Sequence, residues 1–156
     1  MAKMGKADFS EILKLQENLQ KMADKEKVQQ FCEACAKELA ARLLRKVIKR
    51  TPVGVYPEYT GKTGGTLRRG WTAGSDNVQQ AINSLAVTKT GGTYNIEITN
   101  PVEYASYVEY GHRTRNHEKW VPGKFMMTIS ENEIKRTAPA LLEKRLTEFL
   151  GGAFNA

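Results

Sequence analysis

The chain of 156 residues has no long apolar run and few cysteines or histidines. No apolar stretch approaches the ~18 residues that a bilayer crossing requires, which argues against a membrane-spanning helix. The lysine-containing N-terminus is not followed by an apolar core, so no secretory signal peptide is predicted. Hydrophobic residues at 40% and charged residues at 26% lie near globular averages. We therefore expect a soluble, folded protein that stays in the compartment where it was made.

The scarcity of cysteine and histidine limits the metal sites that the chain could build. Cys32 and Cys35 have two residues between them, and His112 and His117 have four, so the ligand types of a Cys2His2 zinc site are present. In zinc fingers the two pairs are ~12 residues apart, whereas 76 residues lie between Cys35 and His112. The cysteines also fall within a helical period, which favours buried small hydrophobic residues. We predict no metal site. A zinc-dependent enzyme is kept as the third function, after the two that are described below.

Motifs for phosphate binding and catalysis are missing as well. Gly61-Lys62-Thr63 resembles the end of a phosphate-binding loop, but Tyr56 stands where the required first glycine would be. No serine lies in a nucleophile elbow, and Ser130 with Glu133 is better explained as a helix cap. Glu109 lies on a tyrosine-rich segment and has no evident partner. We expect no catalytic residues, no cofactor and no enzymatic activity.

The net charge of +7 is concentrated in two segments. Residues 37–70 contain nine basic and two acidic residues, and residues 111–124 contain four basic residues and one acidic residue. Residues 71–110 contain one basic and four acidic residues, while residues 1–36 and 125–156 are balanced. Localised basic patches indicate docking surfaces, although a solvated helix face with charged loops explains them about as well.

The same charge supports an alternative function as a nonspecific, basic nucleic-acid-binding module. Phosphate contacts require such Lys and Arg side chains, and several lie on or near one helical stretch. No helix-turn-helix, zinc-finger or aromatic RNA-platform motif accompanies them, so sequence-specific DNA recognition is not predicted.

Hydrophobic periodicity predicts two helices in the N-terminal third of the chain. A capping-box spacing that begins at Asp8 predicts a first helix from about residue 9. After Asp24, apolar residues recur about every 3.6 positions up to Arg50, where Thr51-Pro52 interrupts the pattern. A long second helix of about seven turns is therefore expected.

Short elements are predicted in the middle of the chain. Residues 67–73 can form a strand, and the alternation around Gly91-Gly92 predicts a β-hairpin with one buried face. A short helix is expected from the cap residue Asn100, with Pro101 at its first position, to Gly111.

Loops and a final helix complete the prediction. Residues 51–66 and 112–124 are expected to be exposed, flexible loops, because the first is rich in glycine and proline and the second in charge. Apolar residues from Met127 to Phe149 mark a long C-terminal helix, which Pro139 should kink or split. The whole order predicts one α+β domain over residues 1–156, with helices packed on a small antiparallel sheet.

Four pieces of sequence occur together after the long second helix. They are Thr51-Pro52-Val53, Gly-Thr-Leu-Arg-Arg-Gly-Trp at 65–71, Asn-Pro-Val-Glu-Tyr-Ala-Ser-Tyr-Val-Glu-Tyr-Gly-His at 100–112, and Trp-Val-Pro-Gly-Lys-Phe-Met at 120–126. In this order they resemble the phage tail-component family, the tail-completion or neck proteins of long-tailed bacteriophages. The resemblance covers nearly the whole chain. One departure is the loop between Pro52 and Leu67, which is longer than the family's short Thr-Pro-x-x-Thr-Gly link.

This resemblance implies a virion structural protein of a phage tail or of a headless, phage-tail-like bacteriocin. It implies a homo-oligomeric ring, expected to be a hexamer, at the head-proximal end of the tail. The implied partners are neck or connector, tail terminator and tail-tube proteins, with passing contact with DNA allowed and no membrane contact. The implied location is the virion, and the bacterial host cytoplasm during assembly.

We expect the basic segments at 51–70 and 112–124 to contact adjacent subunits and the neck or tube proteins. A neighbour can meet such a subunit head to tail, because its basic and acidic segments are complementary. For each candidate the alternative is an exposed side chain without a partner, and for Trp120 it is a local core plug. The interface candidates are Arg68, Arg69, Arg113, Arg115, Lys119 and Trp120.

Overall fold

The part of the chain that the structure describes from residue 24 onward has two long helices, with short helices and two strand pairs between them. The computed structural model describes residues 14, 16–18, 20–21, 24–74 and 77–154. The predicted cap of the first helix at Asp8 lies outside this part of the chain, but the described positions among residues 14–21 are helical. The described elements from residue 24 onward are α1 (Lys25–Arg50), a 3-10 helix (Glu58–Thr60), α2 (Thr66–Gly70), α3 (Val78–Asn83), β1 (Thr88–Thr90), β2 (Thr93–Asn95), α4 (Ala105–Tyr110), β3 (Gly111–Arg113), β4 (Trp120–Pro122) and α5 (Met126–Phe154).

This order confirms the predicted mixed α+β class, which is mostly helical. The two pairs, β1 with β2 and β3 with β4, are both antiparallel. None of the helices in the described part of the chain is long and apolar enough to cross a membrane.

Helix α1 begins and ends where the sequence predicts. The Asp24 carboxylate accepts a hydrogen bond from the Glu26 amide at 3.0 Å and so caps the first turn. At the other end, the Thr51 hydroxyl donates to the Val47 carbonyl at 2.7 Å, and the next residue, Pro52, cannot continue the helix. Thr51 is fully buried, so the end of α1 is fixed inside the protein.

Helix α1 contributes to two buried clusters. Ala41 and Leu44 pack against Ile82 of α3 in the first cluster. In the second, Val47 packs against Leu67 of α2 and Met126 of α5. Trp71 is the residue that follows α2. Its side chain packs against both clusters and so joins them. Helices α2, α3 and α5 therefore all pack against the C-terminal half of α1.

The predicted strand at 67–73 is wrong, since this segment forms α2 and a following turn. Leu67 and Gly70 are buried and Trp71 is half-buried, which is the i, i+3, i+4 pattern of one helix face. The Asn100 side-chain amide donates to the Leu67 carbonyl at 2.8 Å, and a side chain at Gly70 would collide with Asn100. Contacts between one face of this segment and residues distant in sequence therefore favour a helix here over a strand.

The predicted hairpin at Gly91-Gly92 is confirmed, but its ladder is only three residues long on each side. The alternation predicted from sequence does produce half-buried side chains at Leu85, Val87, Ile96 and Ile98. These lie outside the paired strands, whose side chains are exposed except for the half-buried Tyr94. The predicted face is therefore half-buried rather than buried, and most of it lies beyond the paired strands.

The short helix starts later than predicted and ends as predicted. Asn100 accepts a hydrogen bond from the Val102 amide at 3.1 Å, so it caps a turn, and helix α4 begins only at Ala105. Its C-cap is Gly111, as expected. In the long C-terminal helix, Pro139 lies inside α5 without splitting it.

Candidate protein-interaction surface

A second hairpin, β3–β4, lies in the segment that the sequence predicted as a loop. Arg113 pairs directly with Trp120, and Gly111 pairs with Pro122. In the turn, the Thr114 amide donates to the Lys119 carbonyl at 2.8 Å, and the Lys119 amide donates to the Thr114 hydroxyl at 3.1 Å. The charged segment therefore has a defined, hydrogen-bonded shape.

Two glycines allow the base of this hairpin to pack against α4. A Cβ at Gly111 would lie 2.5 Å from the Val121 carbonyl oxygen, and φ of Gly111 is +88°. A Cβ at Gly123 would collide with the Glu109 carbonyl oxygen. The Tyr-Gly-His and Val-Pro-Gly pieces of the sequence are thus explained by the close approach of two backbone segments.

The buried Glu109 carboxylate connects α4 to the start of α5. Its two oxygens accept hydrogen bonds from the backbone amides of Met127 and Thr128, both at 2.9 Å, and from the Thr128 hydroxyl at 2.7 Å. A carboxylate at this position satisfies free amides and opposes the positive end of the helix dipole. The sequence offered only one signal for this contact, the absence of a capping side chain at Phe125 before α5.

Four of the six interface candidates lie together on the hairpin. Arg113, Arg115 and Lys119 are exposed, and within the described part of the chain no acidic side chain pairs with them. Trp120 is 60% exposed, which argues against the core-plug alternative. Because Arg113 and Trp120 are directly opposite in the ladder, their side chains project from the same face of the hairpin.

The other two candidates lie on α2. Arg68 is half-buried, and its guanidinium donates to the Thr51 carbonyl at 2.7 Å from Nη2 and at 3.2 Å from Nε. Arg69 is exposed, and among the described residues its guanidinium reaches the Gly64 carbonyl alone, at 3.4 Å. Arg68 therefore holds the end of α1, while Arg69 leaves most of its donors free for solvent or a partner.

Part of the basic charge of α1 is already paired within the chain. Glu133 of α5 lies 2.7 Å from both Lys46 and Arg50. The hydrogen bond from Lys46, with the nearby Arg50, holds the pKa of the Glu133 carboxyl below its ordinary value. Arg50 also donates to the Ser130 hydroxyl at 2.9 Å. Ser130 and Glu133 thus bind α1 from within α5, so the predicted cap at Ser130 is wrong.

A second set of ion pairs joins the other halves of the same two helices. The Glu38 carboxylate accepts from Arg145 of α5 at 2.6 Å and from Arg42 at 2.8 Å. The hydrogen bond from Arg145, followed by that from Arg42, lowers the pKa of Glu38. Glu38 is already one of the two acidic residues counted in 37–70, so these pairs join the helices without lowering the basic excess of that segment.

The loop at 51–66 exposes apolar side chains as well as its basic residue, Lys62. Val55 is 94% exposed and Tyr59 is 91% exposed. At the base of the loop the backbone closes on itself, because a Cβ at Gly64 would collide with the Gly54 carbonyl. Exposed apolar groups on such a loop are typical of a protein-interaction site.

Helix α4 connects this loop to the hairpin. Tyr104 and Tyr56 line a pocket of about 240 Å³ between α4 and the loop. On the next turn, the Tyr107 ring lies 5.8 Å from the His112 ring of β3. Tyr107 is exposed, so its ring is accessible at the surface. We call the loop, these α4 tyrosines and the hairpin the aromatic face.

The residues weighed as zinc ligands fall on separate elements. Cys32 and Cys35 are half-buried free thiols on α1, whereas His112 lies in β3 and His117 in the hairpin turn. Partial burial, and then the neighbouring Cys32, raise the pKa of the Cys35 thiol, which favours the uncharged form. Among the described residues, no three His, Cys, Asp or Glu side chains are arranged to hold a metal ion.

Comparison with known proteins identifies the family. A family model described as "Bacteriophage HK97-gp10, putative tail-component" matches residues 14–111, from the helical N-terminal segment to the end of α4. The chain belongs to this HK97-gp10-like family of phage tail components, in agreement with the sequence resemblance. No curated protein and no solved structure matches the chain significantly.

Proposed function

We propose that this protein is a structural component that forms a ring at the head-proximal end of a phage or phage-like tail. In this role it completes the tail and joins it to neck or connector and terminator proteins. The observation that carries the proposal is the β3–β4 hairpin, an ordered element whose cations and tryptophan have no partner within the described chain. Arg and Trp are enriched where proteins bind one another.

The architecture supports an assembly function over catalysis. Glycine contacts, the buried Glu109 cap and paired helices make a defined scaffold, while the aromatic face lies at its surface. A subunit whose docking surface differs from the surface it binds makes head-to-tail contacts, and these close into a ring when the rotation permits. We propose one domain, no enzymatic activity and no cofactor, and a hexamer as the ring.

The proposed partners follow from the two halves of the aromatic face. The basic hairpin suits an acidic surface of a neighbouring copy, and the apolar loop with Val55 and Tyr59 suits an apolar surface of a neck, terminator or tube protein. Arg69 stands beside the loop and belongs to the proposed interface, whereas we assign Arg68 to the scaffold. The proposed location is the virion, after assembly in the host cytoplasm.

The test is the double substitution Arg113→Glu with Arg115→Glu in a phage or particle that carries this chain. We expect a folded protein, checked by circular dichroism, whose amount in purified particles falls by on the order of tenfold or more, because charge reversal opposes docking. The matched control is Lys37→Glu with Arg136→Glu, two exposed cations on α1 and α5. Incorporation of the hairpin variant at the level of the control would sink the proposal.

A nonspecific nucleic-acid-binding module is the second candidate, favoured by the same unpaired hairpin cations. The ion pairs of α1 weaken it, because Lys46 and Arg50 already share Glu133. Its distinguishing measurement is the salt dependence of DNA binding.

A further inference from the structure

A small cleft lies away from the hairpin, between α1, α2, α3 and the segment before α4. Its walls include the half-buried apolar side chains of Trp71, Leu85 and Ile98. The volume is about 230 Å³. Pockets for small-molecule ligands are larger, roughly 300–1,000 Å³. The cleft therefore suits a single large side chain better than a free ligand.

One carboxylate marks this cleft. Glu97 lines it and is exposed, and no cation pairs with it within the described part of the chain. It belongs to the acidic segment 71–110, which contains four acidic residues and one basic residue. The cleft thus combines apolar walls with a free negative charge.

The hairpin presents the complementary pair of groups. Trp120 and Arg113 project from one face of β3–β4 as an exposed aromatic ring beside an unpaired guanidinium. We propose that Trp120 of one copy packs into the cleft of the next copy, where Arg113 forms an ion pair with Glu97. This contact rests on the proposed ring and names the surfaces that would build it.

The proposed contact is head to tail, because the hairpin and the cleft are different surfaces of the same copy. The cleft is lined by residues of α1 to α3, Leu85 and the segment up to Pro101, and among the described residues none from β3 or β4 lines it. Each copy therefore donates its hairpin and accepts another in its cleft. A heterologous contact of this kind can propagate around a ring, whereas a two-fold contact stops at a dimer.

Charge exchange tests the ion pair with the native cysteines in place. Glu97→Arg and Arg113→Glu should each lower the amount of chain in purified particles by on the order of tenfold, and the double variant should recover most of it. Two losses without recovery in the double variant would overturn the pairing. Unchanged incorporation of either single variant would do the same.

Cross-linking tests the contact directly in assembled particles. Glu97→Cys with Arg113→Cys, in a Cys32→Ala and Cys35→Ala background, should give a ladder of covalent oligomers on mild oxidation with copper phenanthroline. The control pair, Glu97→Cys with Lys37→Cys, should give none, since Lys37 lies exposed on α1. A ring seen by cryo-electron microscopy without the ladder would overturn this contact alone. Particles in which the native chain is absent would overturn the proposed function and this contact together.

Discussion

At the residue scale, Thr51 joins α1, α2 and the turn after α2 through one side chain and one carbonyl. Its hydroxyl donates to Val47 and accepts from the Trp71 indole at 2.8 Å, while its carbonyl accepts from Arg68. Thr51 is fully buried, so losing a partner would leave a polar group without its hydrogen bond. The Thr-Pro and Leu-Arg-Arg-Gly-Trp pieces that carry the family resemblance therefore hold the scaffold together.

Gly123 gives a prediction at this scale. A Cβ there would collide with the Glu109 carbonyl oxygen and lie 2.8 Å from the Gly111 amide, and neither backbone group can move aside alone. We expect Gly123→Ala to lower the free energy of unfolding by about 1–3 kcal/mol, measured by urea denaturation. Gly151→Ala is the control, because Gly151 has open space inside α5 and the change should stabilise by up to about 1 kcal/mol. Equal stability of Gly123→Ala and the native protein would contradict the steric argument.

Single residues also mark how far the candidate site could be predicted. The exposure of Arg113, Arg115 and Lys119 was predictable, since charged side chains are rarely buried. The internal role of Arg68 was not, because the carbonyl it binds belongs to a residue 17 positions earlier. Glu109 shows the same difficulty, since its partners are the amides of a helix that starts 17 residues later.

At the scale of elements, α1 and α5 are held together by ion pairs as well as by apolar contacts. Glu133 accepts from Lys46 and Arg50, and Glu38 accepts from Arg145 and Arg42. Phe31 near the start of α1 stacks on Phe149 near the end of α5, with 4.4 Å between ring centroids. The two helices are therefore joined along much of their length.

These pairs predict loss of stability in acid. Because its pKa is lowered in the folded state, Glu133 contributes stability that is present above the ordinary value of 4.5 and is lost as pH falls through the folded value. Protonation also leaves Lys46 and Arg50 close together without their shared anion. In urea unfolding from about pH 7 to about pH 3, Glu133→Gln should be less stable than the native protein at neutral pH and lose less stability on acidification.

The control for this prediction is Glu131→Gln on the same helix. Within the described residues, Glu131 pairs with Lys135 four residues later and with no cation of α1, so its removal leaves the contacts of α1 unchanged. An acid response of Glu133→Gln as large as that of Glu131→Gln would show that the link between the helices does not set the pH dependence.

The predictability of elements follows their length. The long helices follow from a period repeated over many residues, which one irregular position such as Pro139 does not cancel. Helix α2 has five residues and each strand of the β3–β4 hairpin has three, which is too few to show a hydrophobic period in the sequence. They form because Leu67 and Gly123 meet partners that are distant in sequence.

At the scale of the whole molecule, the fold redistributes the charge that the sequence displays. The larger basic segment lies mainly on α1, where Glu133 of α5 neutralises part of it. The smaller one lies on the hairpin, where its cations stay unpaired within the described chain. The hairpin segment therefore carries a compact group of cations that are all unpaired within the described chain, while α1 combines paired cations with unpaired ones such as Lys37 and Lys49.

DNA contacts that are confined to the hairpin segment, residues 111–124, would be few. Its four cations, Arg113, Arg115, Lys119 and Lys124, can release at most four counterions, so the slope of log K against log salt should be no steeper than about −3.6, or about a 10²-fold loss from 50 to 200 mM salt. A nucleic-acid module that used the α1 cations as well would make six or more contacts, with a slope beyond about −5. We expect the shallow slope in fluorescence anisotropy with double-stranded DNA.

Arg113→Glu with Arg115→Glu should reduce the magnitude of this slope by at least about 1.8, and the control, Lys37→Glu with Arg136→Glu, should leave it unchanged. A steep slope that survives the hairpin substitutions would favour the nucleic-acid function, because only cations outside the hairpin could then be making the contacts.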